Sequence, residues 1–299
     1  MVALGSLEEE VYGWGYSIDL CENKVLFKAS EGAVNLADEK PLSIVGVGSI
    51  SVKVLKRLAE NDISISFRQR DQTARLYTKG NFQLIRRQLE VYLNPQLKRR
   101  IAIEIVKAAA QNKLFLLKSF TSQDVVERLK DEYASILEKL TPSLDDSVIL
   151  SSEAKIAKMY YEELQHIIPR EYEFEARTRR PPKDCFSACL SYGNISLYKI
   201  CQYMLEAHGL DPRLGFLHKP FRRRVSLAID LAEEFKQPIV EAAIIPLFTS
   251  KSVSPKSDFT REGEAVYLNK RGREKVSKLL RHRLELKAYK GLSLRQAIH

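Results

Sequence analysis

Residues 62–100 read DISISFRQRDQTARLYTKGNFQLIRRQLEVYLNPQLKRR, and the spacing of apolar residues changes within them. Before Gly80 they alternate, as at Ile63, Ile65 and Phe67. After it they recur every three or four positions, as at Phe82, Ile85, Leu89 and Leu93. The first period belongs to a strand and the second to a helix. Pro95 separates two long helices that run on to about Phe120.

The strand character extends toward the N-terminus. VYGWGYSIDL (11–20), NKVLFKAS (23–30) and PLSIVGVGSI (41–50) are short apolar runs punctuated by Gly, Asn and Pro. SVKVLKRLAEND (51–62) places Val52, Leu55, Leu58 and Ala59 at helical spacing. GVGSIS (46–51) lacks the third glycine of a dinucleotide loop and reads as a turn after a buried strand.

The helical character extends the other way. Helices are expected from about Ser122, as N-cap, to Leu140, from Ser151 to Ile168, and from Asp184 to His208. Gly209 and Pro212 stop the last of these. PREYEFEARTRRPPKD (169–184) is a loop. Helix returns over 222–236 and 238–248, TSKSVSPKSDFTRE (249–262) reads as a mobile polar loop, and a basic helix begins near Lys270. The fold class is α+β: a small β-rich N-terminal domain (1–80) and a larger all-helical domain (81–299).

The 299 residues carry 48 Lys and Arg against 38 Asp and Glu, a net charge of +10 that suits a polyanionic partner. No apolar run approaches the ~20 residues of a transmembrane helix. The N-terminus lacks a signal-peptide pattern, so a cytoplasmic location is expected. Cys21, Cys185, Cys189 and Cys201 form no CxxC pair, which argues against zinc and for buried thiols. GxSxG, HExxH and Walker patterns are absent.

One segment concentrates chemistry: GFLHKPFRRRVSLAIDLAEEF (215–235). Asp230 and Glu233 are three apart and share a helical face, with Glu234 as a rival for the second place. His218 precedes them across a turn and can fold back over the helix. Carboxylates with one imidazole suit Mg²⁺ or Mn²⁺. Glu153, read as lying in the first turn of its helix, is a further acidic candidate. Arg222, Arg223 and Arg224, with Arg177, Arg179 and Arg180, suit phosphate recognition. The plainer alternative is that the carboxylates pair with these arginines and His218 is structural.

Four stretches in order resemble one family, the CRISPR-associated integrases of spacer acquisition (Cas-one). PLSIVGVGSISVKVLKRLAENDISISF (41–67) is similar to the end of its β-domain. RTRRPPKDCFSACLSYG (177–193) is similar to the stretch after its first catalytic helix. HGLDPRLGFLH (208–218) followed by RRVSLAIDLAEEFKQPIVE (223–241) resembles its most diagnostic segment, and EAVYLNKRGREKVSKLL (264–280) its basic helix. The resemblance implies a metal-dependent DNA endonuclease and integrase that works by transesterification. It implies Glu153, His218 and Glu233 as ligands of Mg²⁺ or Mn²⁺, with Asp230 supporting catalysis or a second cation. It also implies a homodimer through the β-domain and a small ferredoxin-like partner, Cas-two. The chain departs from the family at Ala154, where Gly is common, at Ser187, where Asn is common, and at Asn194 or Ile195, where Tyr is common. The rival reading is a non-catalytic basic protein that binds DNA or RNA.

Overall fold

The computed structural model describes residues 9–22, 24–29, 32–36, 42–61, 63, 65–69, 72–76, 82–222, 224–289 and 292–293. The chain forms two compact units, residues 1–86 with 205–210, and residues 87–204 with 211–299.

In the first unit β1 (Glu9–Cys21), β2 (Lys24–Ala29), β3 (Gly32–Leu36), β4 (Leu42–Ile50), β5 (Ile65–Gln69) and β6 (Gln72–Leu76) make one sheet, ordered β3-β2-β1-β4-β5-β6. β4 runs parallel to both β1 and β5, and the other pairings are antiparallel. The parallel β4–β5 step is bridged by α1 (Val52–Glu60), because parallel neighbours need a crossover. Ser51 caps α1 by accepting from Val54 N. Val54 and Leu58 of α1 are buried in one core with Ile18, Val25, Phe27, Ile44 and Ile65.

GVGSI is not a turn. It is the second half of β4, paired with β1 from Gly13↔Gly46 to Ile18↔Ile50. Gly46 holds φ 128°, and a Cβ on Gly48 would collide with the backbone and ring of Tyr16. The glycines let two strands approach across a register shift, a use the sequence does not distinguish from a turn.

The second unit is mainly helical. α2 (Phe82–Leu93) enters it and Asn94 caps α3 (Pro95–Leu117), whose Pro95 stands at N1. α4 (Gln123–Leu137) and α5 (Asp146–Ile167) pack on α3. α6 (Cys185–Ala207) ends at Gly209, whose φ is 76°, and Leu210 N donates back to Leu205 O. α7 (Ser226–Glu233) is followed by a π-helical turn, Lys236–Glu241, and then by α8 (Ala242–Thr249). The expected 222–236 helix is thus shorter at both ends.

Three other expectations are corrected here. α5 starts at Asp146, not Ser151, because Lys98 and Arg99 of α3 hold Asp146 at 2.6 and 2.9 Å in its first turn. Ser122 stands at the N-cap of α4 but its side chain makes no capping bond. Residues 249–262 are ordered. They form α9 (Pro255–Asp258) and β7 (Phe259–Glu262), which pairs with β8 (Ala265–Leu268). Their anchor is the fully buried Asp258, held by Lys275 at 2.7 Å and Arg271 at 3.2 Å on α10 (Lys270–Glu285). A second hairpin, β9 (Lys287–Tyr289) with β10 (Leu292–Ser293), follows, so the unit is not all-helical.

Cys185, Cys189 and Cys201 are buried free thiols, whereas Cys21 is exposed. Burial pushes Cys185 up to about 11 and Cys189 well above the ordinary range, which leaves both inert. Among the described residues no helix is long and apolar enough to cross a membrane.

Candidate active site

The loop before α7 is folded onto that helix by one carboxylate. Asp230 has no exposed surface. Its Oδ2 accepts from Phe216 N at 2.6 Å and Leu217 N at 2.9 Å. Its Oδ1 accepts from His218 N at 3.0 Å and meets His218 Nδ1 at 2.7 Å. Four donors on two oxygens satisfy a buried anion. Gly215 permits the fold: a Cβ there would press on His218 O and Ser226. Ser226 Oγ closes the loop by donating to Lys219 O at 3.0 Å.

Glu233, one turn further along α7, is also buried and points inward. Lys236 Nζ forms a short ion pair with its Oε1 and lies 5.5 Å over the Tyr198 ring. Burial works to raise the Glu233 carboxyl, but Lys236, Lys113 and His218 together hold it below the usual carboxylate range. Burial alone would lower the Lys236 ammonium, and Glu233 more than offsets it, so that pKa is raised. Glu234 is half-buried, and desolvation raises its carboxyl.

The π turn follows from Pro238, which cannot donate to Glu234 O. Asn112 Nδ2 of α3 fills that acceptor at 2.8 Å. Arg283 of α10 grips the turn from outside, donating twice to Pro238 O at 3.0 and 2.7 Å. The turn ends at Glu241, fully buried, which accepts from Tyr160 at 2.5 Å and Tyr161 at 3.1 Å. Burial first, and Glu241 second, hold both tyrosines well above their usual value, so they remain donors.

The structure brings His218, Asp230 and Glu233 into one neighbourhood. Among the described residues, no three His, Cys, Asp or Glu side chains gather closely enough to hold a metal ion. Glu153 is half-buried on the inward line of α5, between Ile149 and Ile156, and has no bond or ion pair among the described residues. It sits in the third turn of α5, not the first, because the helix begins at Asp146. The donor chemistry suits a hard divalent ion. Asp230 occupies Nδ1 of His218, leaving Nε2 as the ring nitrogen not engaged by it, and Glu233 already stabilises a cation in the form of Lys236.

The arginines divide. Arg177 is half-buried and bonded to Thr178 O and to Ser191 Oγ, the latter at 3.0 Å. Its loop is tied to α6 by Asp184, which accepts from Ser187 N at 2.6 Å and Thr178 Oγ1 at 3.3 Å. Arg179, Arg180, Arg222 and Arg224 are exposed and, among the described residues, have no ion-pair partner. Arg223 lies outside the described residues. Among the described residues the carboxylates therefore pair with Lys236 and His218 rather than with the arginines. Sequence reading missed both lysines. Lys236 was legible as an i,i+3 partner of Glu233, whereas Lys113 comes from a distant helix.

A basic α+β protein in which a half-buried imidazole meets a buried carboxylate, with exposed arginines that have no ion-pair partner among the described residues, is the class defined so far. The chain belongs to the Cas1 family: the family described as "CRISPR associated protein Cas1" matches residues 11–282. A relative from Archaeoglobus fulgidus, named CRISPR-associated endonuclease Cas1 1, is 30% identical over 284 residues, covering 86% of this chain and 81% of that protein. The solved structure of a CAS1 protein from Thermotoga maritima superposes with a TM-score of 0.75 at 27% identity, covering 97% and 93% of the two chains. A casposase bound to integration product shares the fold at 21% identity, with a TM-score of 0.70 and coverage of 97% and 86%.

Proposed function

We propose that this protein is a metal-dependent DNA endonuclease and integrase that inserts new spacers into a CRISPR array. The observation that carries this reading is the Asp230–His218 pair set beside a buried, cation-bound Glu233. Family membership and the named endonuclease relative support it.

Residues divide by role. His218, Glu233 and Glu153 are the residues that would hold a divalent cation, Mg²⁺ or Mn²⁺. When bound, that ion stabilises charge on the attacking and leaving oxygens of a phosphodiester. Asp230 does not bind it, because four donors already fill its oxygens. It positions His218 and the 216–218 backbone. Arg179, Arg180, Arg222 and Arg224 hold the DNA backbone, and Arg223 joins them. Arg177 supports their loop. A DNA 3′-hydroxyl attacks the phosphorus, the P–O bond to the leaving strand breaks, and the number of phosphodiesters is conserved. The β-rich unit serves dimerisation, and a Cas-two partner completes the assembly. The rival, a non-catalytic binder, has one observation in its favour: Glu233 is already neutralised by Lys236.

Mn²⁺ titration followed by electron paramagnetic resonance tests the ligand set. Wild type is expected to bind one ion per chain, with affinity reduced by about 10–100-fold in Glu153→Gln, Glu233→Gln and His218→Ala. Equal binding by all three variants would remove the site.

A further inference from the structure

α3 carries a lysine where lysine is costly. Lys113 is 3% exposed and belongs to the buried side of the helix with Ala109, Ala110, Leu116 and Leu117. Lysines are almost never so buried without a partner. Among the described residues Lys113 has no hydrogen bond and no ion pair. Its neighbour Asn112 is bonded to Glu234 O, which fixes this part of α3 against the end of α7. Glu233 feels its charge but is ion-paired to Lys236.

The ammonium is not sealed in. Among the described residues, the enclosed side-chain polar atoms without a partner are Arg177 Nε, Asn194 Oδ1, Gln237 Oε1 and Asp258 Oδ1. Lys113 Nζ is not one of them, so it keeps a small accessible area. A buried cation whose acidic neighbour, Glu233, is already ion-paired to Lys236 is poorly compensated in the free protein. The same cation, near Glu233 and keeping some accessible surface, is placed to meet an anion that arrives with a substrate.

We propose that Lys113 contacts a non-bridging phosphate oxygen of the DNA at the reaction site, holding the phosphodiester beside Glu233 and His218. This placement rests on the proposed function above. A lysine suits the task, since it presents a compact charge with three donors that turn to meet the oxygen.

The test is binding of branched DNA across a salt series, in EDTA, by fluorescence anisotropy. Wild type, Lys113→Met and Lys113→Arg are compared, together with their thermal unfolding midpoints. Lys113→Met is expected to weaken binding at low salt and to reduce the slope of log K against log salt by about 0.9. Lys113→Arg keeps the slope. The midpoint of Lys113→Met equals or exceeds that of wild type, because a buried charge is gone. An unchanged slope in folded Lys113→Met overturns the proposal, as does a lowered midpoint with the slope intact, which would make Lys113 a structural support. If Lys113→Met does not fold, Lys113→Gln is read the same way. Strand transfer with Mn²⁺ is measured alongside. A wild type with the slope change but no activity even when its proposed Cas-two partner is supplied would sink the catalytic reading and uphold the phosphate contact.

Discussion

His218 Nδ1 lies 2.7 Å from Asp230 Oδ1, and the same carboxylate gathers three successive backbone N–H groups, of Phe216, Leu217 and His218. One buried side chain therefore holds both the path of the loop and one nitrogen of the imidazole. Asp230 thus governs the geometry that places His218.

Asp230→Asn turns one acceptor oxygen into a donor that faces other donors. A stability loss of about 2–4 kcal/mol is expected in urea unfolding. Strand-transfer rate should fall about 10²–10⁴-fold as the ring loses its tautomer. A variant as stable and active as wild type would show that these four bonds do not organise the site.

Lys236→Met leaves Glu233 buried beside a partnerless Lys113. Breaking a buried pair costs about 3–5 kcal/mol, and residual attraction from Lys113 places the expected loss at the lower end. Glu233→Gln with Lys236→Met should recover most of the stability and none of the activity. Additive losses in the double variant would contradict the pairing.

Asp146 gives the pH dependence. Its desolvation would raise its pKa, but Lys98 and Arg99 overcome that and hold the carboxyl below its ordinary 3.8. A group depressed in the folded state binds fewer protons there than in the unfolded chain. Its stabilisation is complete above about pH 4–5 and is lost as pH falls through the lower folded value. Asp146→Asn should remove that acid-side slope and cost about 1–2 kcal/mol at neutral pH, since the group is one-quarter exposed. Chemical denaturation between pH 2 and 7 measures both.

Charge reversal separates the arginines. Arg179→Glu with Arg180→Glu, or Arg222→Glu with Arg224→Glu, should weaken DNA binding at low salt and flatten the salt slope by one unit or more. Arg177→Ala should instead lower the unfolding midpoint, because its bonds are internal. Unchanged affinity in the reversed pairs would place the DNA elsewhere.

The fold was largely legible because the dominant apolar period changes near Gly80, and local signals such as Pro95 and Gly209 agree with it. His218 folding back to Asp230 was legible too, from a short turn before a helix. What sequence could not show depends on distant partners. Gly48 reads as a turn residue until Tyr16 is laid against it. Asp146 starts a helix because α3 supplies Lys98 and Arg99. Asp258 orders a polar stretch because α10 supplies Lys275. Lys113 reaches the site from a helix 120 residues before Glu233.

The most direct measurement is cleavage and strand transfer on a branched DNA, with Mn²⁺ or EDTA, comparing wild type with Glu233→Gln and His218→Ala. Midpoints confirm that each variant is folded. The account predicts joined product only for wild type with Mn²⁺, and a loss of at least about 10³-fold in either variant. Equal product in EDTA, or in folded Glu233→Gln, would contradict it.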